Sequence, residues 1–206
     1  MTFAELKALD HQYTMQTYGR FDVALDHGQG ATLYGLEGET YTDFASGIGV
    51  ASLGYGHPAW IKAVEDQAHK LGHASNLFYT EPYAKLAETL CKRTGMAAAF
   101  FANGGGEANE GIIKLARKYS FDKYGKGRST IITLHNSFHG RTITTLQATG
   151  QDVFHQYFFP FTEGFRYADA DSLDSVKAQA GADTCAVMLE LIQGEGGVLP
   201  LDKGFI

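Results

Sequence analysis

Apolar residues recur at three- and four-residue steps over long stretches of this chain and gather in short continuous runs between them. Ala108, Ile112, Leu115, Ala116 and Tyr119 share one face at helical spacing, which predicts a helix over 107–123 with Glu110 and Lys114 as an i,i+4 pair on another face. Trp60, Ile61, Val64 and Leu71 predict a helix over 58–71, with Pro58 suited to its first turn. Leu86, Leu90 and Cys91 behind Pro82 predict another over 81–94, and shorter helices fall around Phe3–Leu9 and near 171–179. The apolar runs at 97–102, 129–134 (STIITL) and 184–189 (TCAVML) read as strands covered on both faces. Strands alternating with helices predict an α/β fold, a mostly parallel sheet with helices on both faces.

Before residue 57 the texture differs. FDVAL at 21–25, ATLYGLEG at 31–38 and ETYTDFASGIGV at 39–50 read as short strands with glycine turns, and Gly35 and Gly38 bracket a hairpin bend. The expected organisation is therefore a β-containing segment over 1–56, followed by the sheet-bearing part over 57–206.

Ligands of parallel sheets bind at the carboxyl ends of the strands. Each of the three predicted strands is followed there by an unusual polar loop: NGGGEANE at 103–110, HNSFHGRT at 135–142 and ELIQGEGG at 190–197. In the first, an apolar run meets Gly104, Gly105 and Gly106 and then turns into a helix. Such a turn brings the backbone close without Cβ atoms in the way, and the helix starts with free N–H groups that favour a phosphate. A tight connection with nothing bound has the same appearance. Neither the P-loop lysine nor the GxGxxG spacing is present, which disfavours a nucleotide as the phosphate's carrier.

Composition narrows the classes further. A chain of 206 residues with 44% hydrophobic and 19% charged residues is globular in type, and a net charge of −6 without a basic run argues against nucleic acid. Cys91 and Cys185 have no metal-ligand spacing and read as reduced thiols. With neither a leader-like segment nor a long apolar span, the expectation is a cytoplasmic protein that does not enter membranes.

These loops, together with YTDFASGIGVASLGYGHP at 41–58, resemble the class III (ornithine-type) aminotransferases, and within them the acetylornithine group. The resemblance implies the type I fold of pyridoxal-phosphate enzymes, a homodimer or larger homo-oligomer, and amino transfer between an amino acid and a 2-oxo acid. It implies that the amides of Gly105 and Gly106 hold the cofactor phosphate, that Phe138 stacks on its ring with His139 beside it, and that Glu190 joins the surrounding hydrogen bonds. Arg141 matches the residue that receives the substrate carboxylate, a task suited to a planar two-pronged guanidinium. Glu195 matches a glutamate that gates which carboxylate partner enters. Ser75, Asn76 and Tyr79 match a segment that approaches the site from the dimer partner. Ile48 stands where ornithine-using members tend to carry tyrosine, and an apolar side chain there suits an acylated, uncharged substrate end.

The sequence departs from the pattern in places. Gly104 replaces the usual serine, Gly106 the usual alanine or threonine, and Gly35 a common aspartate. The family's cofactor lysine, the aspartate that pairs with the ring nitrogen and a phosphate-binding threonine fall after the last strand read here, and Lys114 and Lys203 lie on no matching motif. The expectation is an amino-terminal portion without the carboxy-terminal part of the fold. It would bind cofactor and substrate, or pair with a complete subunit, without a catalytic lysine of its own.

Overall fold

In the computed structural model, which describes residues 1–206, the first helix opens on a reciprocal cap. The Thr2 hydroxyl accepts from the Glu5 N–H and the Glu5 carboxylate accepts from the Thr2 N–H, which starts α1 (Phe3–Tyr13). An antiparallel sheet follows, made of β1 (Leu25–Gln29), β2 (Thr32–Gly35) and β3 (Thr40–Thr42) in that order. The first strand lies at 25–29 rather than over FDVAL, because Gly28 and Gly30 fix its register. A Cβ on Gly28 would sit 2.6 Å from the Tyr55 ring, and Gly30 exchanges two backbone hydrogen bonds with Tyr55 at 2.9 and 2.8 Å. The bend bracketed by Gly35 and Gly38 forms as expected, with the Gly38 N–H donating to the Gly35 carbonyl at φ +90°.

A single tight turn, α2 (Ser46–Gly49), comes next, and it winds the wrong way. Ser46, Gly47, Ile48 and Gly49 have φ of 48°, 59°, 62° and 78°, the left-handed region in which a β-branched residue is rare. Asp43 holds it: one carboxylate oxygen accepts the N–H groups of Ala45 and Ser46 at 2.8 and 2.9 Å, and the other accepts the Tyr55 hydroxyl at 2.8 Å. Those bonds keep the Asp43 carboxyl below the usual carboxylate range. Helix α3 (Pro58–Lys70) has its proline in the first turn, as the sequence predicts. These elements form one compact unit, Met1–Thr80, and the rest of the chain, Glu81–Ile206, forms a second. These are units of packing, divided after Thr80; the boundary expected after residue 56 marks the change in pattern from short strands to long helices.

The second unit begins with α4 (Glu81–Thr94). Residues 97–102, read as a strand, pair with no sheet. Their side chains still alternate: Phe101 meets Tyr83 of α4 edge to face at 4.9 Å, while Phe100 lies where a Cβ on Gly111 would be 2.9 Å away. A strand needs a neighbour for its N–H and C=O groups, and no strand of this chain runs beside it.

Next come α5 (Gly105–Tyr124), β4 (Thr130–Leu134), α6 (Ile143–Ala148), β5 (Phe165–Ala168), α7 (Leu173–Gln179), β6 (Thr184–Val187) and a small hairpin of β7 (Ile192–Gln193) and β8 (Leu199–Pro200). The sheet is parallel in the order β5-β4-β6, and every residue of the central strand is buried. Because side chains alternate along a strand, β4 feeds two cores. Ile131 packs with Ile113 of α5 and Ala148 of α6, while Ile132 and Leu134 pack with Ala168, Val176 of α7 and Leu201. Helices therefore cover both faces, as expected. The face that α5 turns inward carries Ile113, Ala116 and Ser120; of the predicted stripe only Ala116 packs there, and Ile112, Leu115 and Tyr119 are exposed. The helix has two apolar faces, and spacing alone does not say which one meets this sheet. At the amino ends of the strands Arg166 clamps Asp183 through two bonds of 3.1 and 2.8 Å, and the Thr130 hydroxyl donates to the same carboxylate. The opposite end carries the polar loops.

Candidate functional site

Gly104 caps α5 in extended backbone and contributes no side-chain cap, so the helix begins with the N–H groups of Gly105 and Gly106 lacking an acceptor in the chain. A Cβ added at Gly104 or Gly105 would meet nothing within 4 Å, and one at Gly106 would touch only the Thr142 methyl at 3.8 Å. The amides lie at the positive end of a 20-residue helix, beside glycines whose side-chain positions are open. Glu107 turns the other way, accepting the backbone and side-chain N–H groups of Asn103, both at 2.8 Å.

The loop after β4 lies directly against this helix start. Gly140 (φ +134°) approaches so closely that a Cβ there would be 2.9 Å from the Gly106 Cα and 2.6 Å from the Thr145 hydroxyl. The Asn109 amide donates to the His139 carbonyl at 2.7 Å, and the Thr142 hydroxyl donates to the Glu110 carboxylate at 2.5 Å. Glu110 therefore serves this contact and does not pair with Lys114, correcting the helix-surface ion pair read from spacing. The glycine turn and HNSFHGRT meet at one end of the sheet.

In that loop Phe138 is half-buried, set edge to face on Phe154 with ring centroids 5.9 Å apart. The Arg141 guanidinium, exposed, lies 5.8 Å from the Phe138 ring centroid. His139 is 3% exposed. Its bonds come from its backbone: the N–H donates to the Thr149 hydroxyl at 3.0 Å and the carbonyl receives Asn109, while its Nε2 has no partner. Burial pushes its pKa down to about 4, so at neutral pH the imidazole is uncharged, with a proton on one ring nitrogen only.

The third loop docks on the second. The Glu190 carboxylate accepts the Phe138 N–H at 2.9 Å and the Gly194 N–H at 3.3 Å. Gln193, 2% exposed, donates to the His135 carbonyl, and Asn136 donates to the Gly196 carbonyl, each at 2.9 Å. Glu195 is exposed and accepts from the Gln151 side chain at 2.6 Å. Gly106 and the loop carrying Phe138, His139 and Arg141 thus come together, with Glu190 bonded to the Phe138 N–H and Glu195 farther along its loop. Ser75, Asn76 and Tyr79 lie in an exposed turn of the first unit, where the Ser75 hydroxyl accepts the Leu77 N–H. Sequence reading missed Asn109, Asn136, Gln151 and Gln193 as ties between loops. Polar side chains just inside the ends of apolar elements were the available signal.

An open set of amides beside an aromatic ring and a guanidinium suits a ligand that has a phosphate, a flat ring and a carboxylate-bearing partner. The residues present therefore fit pyridoxal phosphate by their donor chemistry.

A family profile described as Aminotransferase class-III matches residues 13–206. Acetylornithine aminotransferase from Haemophilus ducreyi is 58% identical over 207 residues, covering 100% of this chain and 53% of that protein. The Methanocaldococcus jannaschii protein of that name is 42% identical, covering 96% of this chain and 50% of its own length. Among solved structures, the ornithine aminotransferase of Toxoplasma gondii superposes with a TM-score of 0.93 at 30% identity, covering 100% of this chain and 49% of that one. The N-acetylornithine aminotransferase of Stenotrophomonas maltophilia superposes with a TM-score of 0.75 at 39% identity, over 96% and 48%. The chain spans about half the length of the curated relatives it matches.

Proposed function

Because the chain belongs to the class III aminotransferases, enzymes of the type I fold that use pyridoxal phosphate, we propose that it supplies the phosphate, ring and carboxylate contacts of an acetylornithine-type enzyme. That enzyme moves an amino group between N-acetylornithine, or a related acylated diamino acid, and 2-oxoglutarate in arginine biosynthesis. It works in the cytoplasm as a homodimer. When bound, the cofactor supplies an aldehyde to carry the amino group and a ring that draws electrons from the reacting carbon.

On this reading each residue has a separate task. Gly105 and Gly106 give backbone N–H donors to the phosphate, and Phe138 keeps the ring in one plane. Arg141 receives the α-carboxylate through two parallel hydrogen bonds and so orients the bond to be broken. Glu190 fixes Phe138 through its N–H, and His139 stays neutral and structural. Glu195 gates the entry of the two carboxylate partners. The lysine step is assigned to no residue of 1–206. Ile48 favours an acylated substrate end, since an apolar contact does not compensate a free ammonium.

The contact between Gly140 and Gly106 carries the proposal, because it brings the anion-binding amides and the Phe138–Arg141 loop to one place. Equilibrium dialysis of the chain against pyridoxal phosphate tests it. Saturable binding is expected, weakened ~2- to 10-fold by Phe138→Ala, the loss of one aromatic contact. Absence of binding, or preferential binding of NAD or ATP, would sink it. Borohydride fixation of the cofactor onto a lysine within 1–206 would overturn the assignment of the covalent step elsewhere and the silent-fragment expectation with it.

A further inference from the structure

Two half-buried polar residues at the start of α5 reach from the helix into the neighbouring loop. Asn109 reaches the His139 carbonyl at 2.7 Å, and Glu110 receives the Thr142 hydroxyl at 2.5 Å. These bonds straddle Gly140 and Arg141, one on each side. The same Thr142 hydroxyl accepts the Thr145 N–H at 3.2 Å, so the group that Glu110 holds is also the cap of α6. The Glu190 carboxylate anchors the loop from the far side through the Phe138 N–H at 2.9 Å.

We infer that Asn109 and Glu110 are positioning residues that keep the loop bearing Phe138 and Arg141 in register with the free amides of Gly105 and Gly106. The inference rests on the proposed function, in that it takes those groups to hold one phosphorylated aromatic ligand. Neither residue touches that ligand. Their effect is to set the distance between two contacts made by opposite ends of it. A ligand spanning both contacts gains from a fixed spacing, because less ordering remains to be done on binding; a bare phosphate, meeting only the amides, gains nothing. That difference separates positioning from general support of the fold.

Isothermal titration with pyridoxal phosphate and with inorganic phosphate reads it directly, alongside amide hydrogen exchange over 139–142. Asn109→Ala removes one tie without changing charge; Thr142→Val removes the other together with the cap of α6, so Asn109→Ala is the decisive variant. Both are expected to weaken pyridoxal phosphate ~10-fold, about one hydrogen bond's worth, while phosphate changes less than ~2-fold and protection at 139–142 falls. Glu110→Gln, which keeps an acceptor for Thr142, is expected to retain most of the wild-type affinity. Equal weakening of both ligands, or unchanged affinity for pyridoxal phosphate, overturns the inference. If the wild-type chain binds neither ligand, the proposed function fails, and the exchange data still decide this point: unaltered protection in both variants rejects the clamp.

Discussion

The two compact units reach order by different means. In Met1–Thr80 only Gly35 is buried, and large apolar side chains such as Phe44 and Ile48 are 95% and 94% exposed. Its shape comes from backbone: a three-strand meander in register with Tyr55, and a left-handed turn tied to Asp43. In Glu81–Ile206 a central strand is buried along its whole length, with an apolar cluster on each face. Apolar burial contributes ~1.5–3 kcal/mol per large side chain, so the second unit has a source of stability that the first lacks. The first unit can therefore hold strained backbone only where local hydrogen bonds over-determine it.

The largest expected effect is on the core. Leu134→Ala should lower stability by ~2–5 kcal/mol in urea unfolding, since the site is fully enclosed and the cavity has little way to collapse. Trp60→Ala, on the 59% exposed side chain of α3, should cost less than ~1 kcal/mol. A comparable loss for both would mean that the first unit has a core of its own in solution, and the contrast would fail.

His139 sharpens the comparison through pH. An ordinary histidine titrates near 6.5, and burial holds this one down to about 4 in the folded chain. The unfolded chain therefore takes up the proton first. The stability tied to the neutral ring is complete above the unfolded value, declines as pH falls from about 6.5 towards 4, and amounts to ~3 kcal/mol over that interval. His139→Gln should flatten that part of a stability-versus-pH curve measured by denaturant titration. An unchanged curve would show that the ring is solvated.

The same contrast explains what the sequence disclosed. Helices at 58–71 and 81–94, and the apolar strands near 130 and 184, were legible because burial imposes a period on side chains. The loops were legible as a group because strand ends locate them. Less visible was anything set by a partner far along the chain. Residues 97–102 have a strand's alternation without a neighbouring strand, and β1 is placed by Tyr55, far along the chain from its start at Leu25. Glu110 looked like half of a helix-surface pair; its acceptor oxygen goes to Thr142, which no local spacing reveals. In the candidate site, the residues were named by motif. The ties that hold them were not, because Asn109, Gln151 and Gln193 bond to backbone and side chains from other elements.

The smallest effect has the opposite sign and bears on the first unit alone. Ile48 holds φ 62° and ψ 52°, a conformation that costs an L-residue ~1–2 kcal/mol. Its side chain is 94% exposed, so replacement gives up little packing. Ile48→Gly relieves the strain, while the added freedom of glycine in the unfolded chain takes back ~0.5–1 kcal/mol. The net expectation is a gain of ~0.5–1 kcal/mol, detectable as a raised urea midpoint at constant slope. A loss instead would mean that the Ile48 side chain has a packing partner in solution, and that apolar burial, rather than the Asp43 hydrogen bonds, holds the turn left-handed.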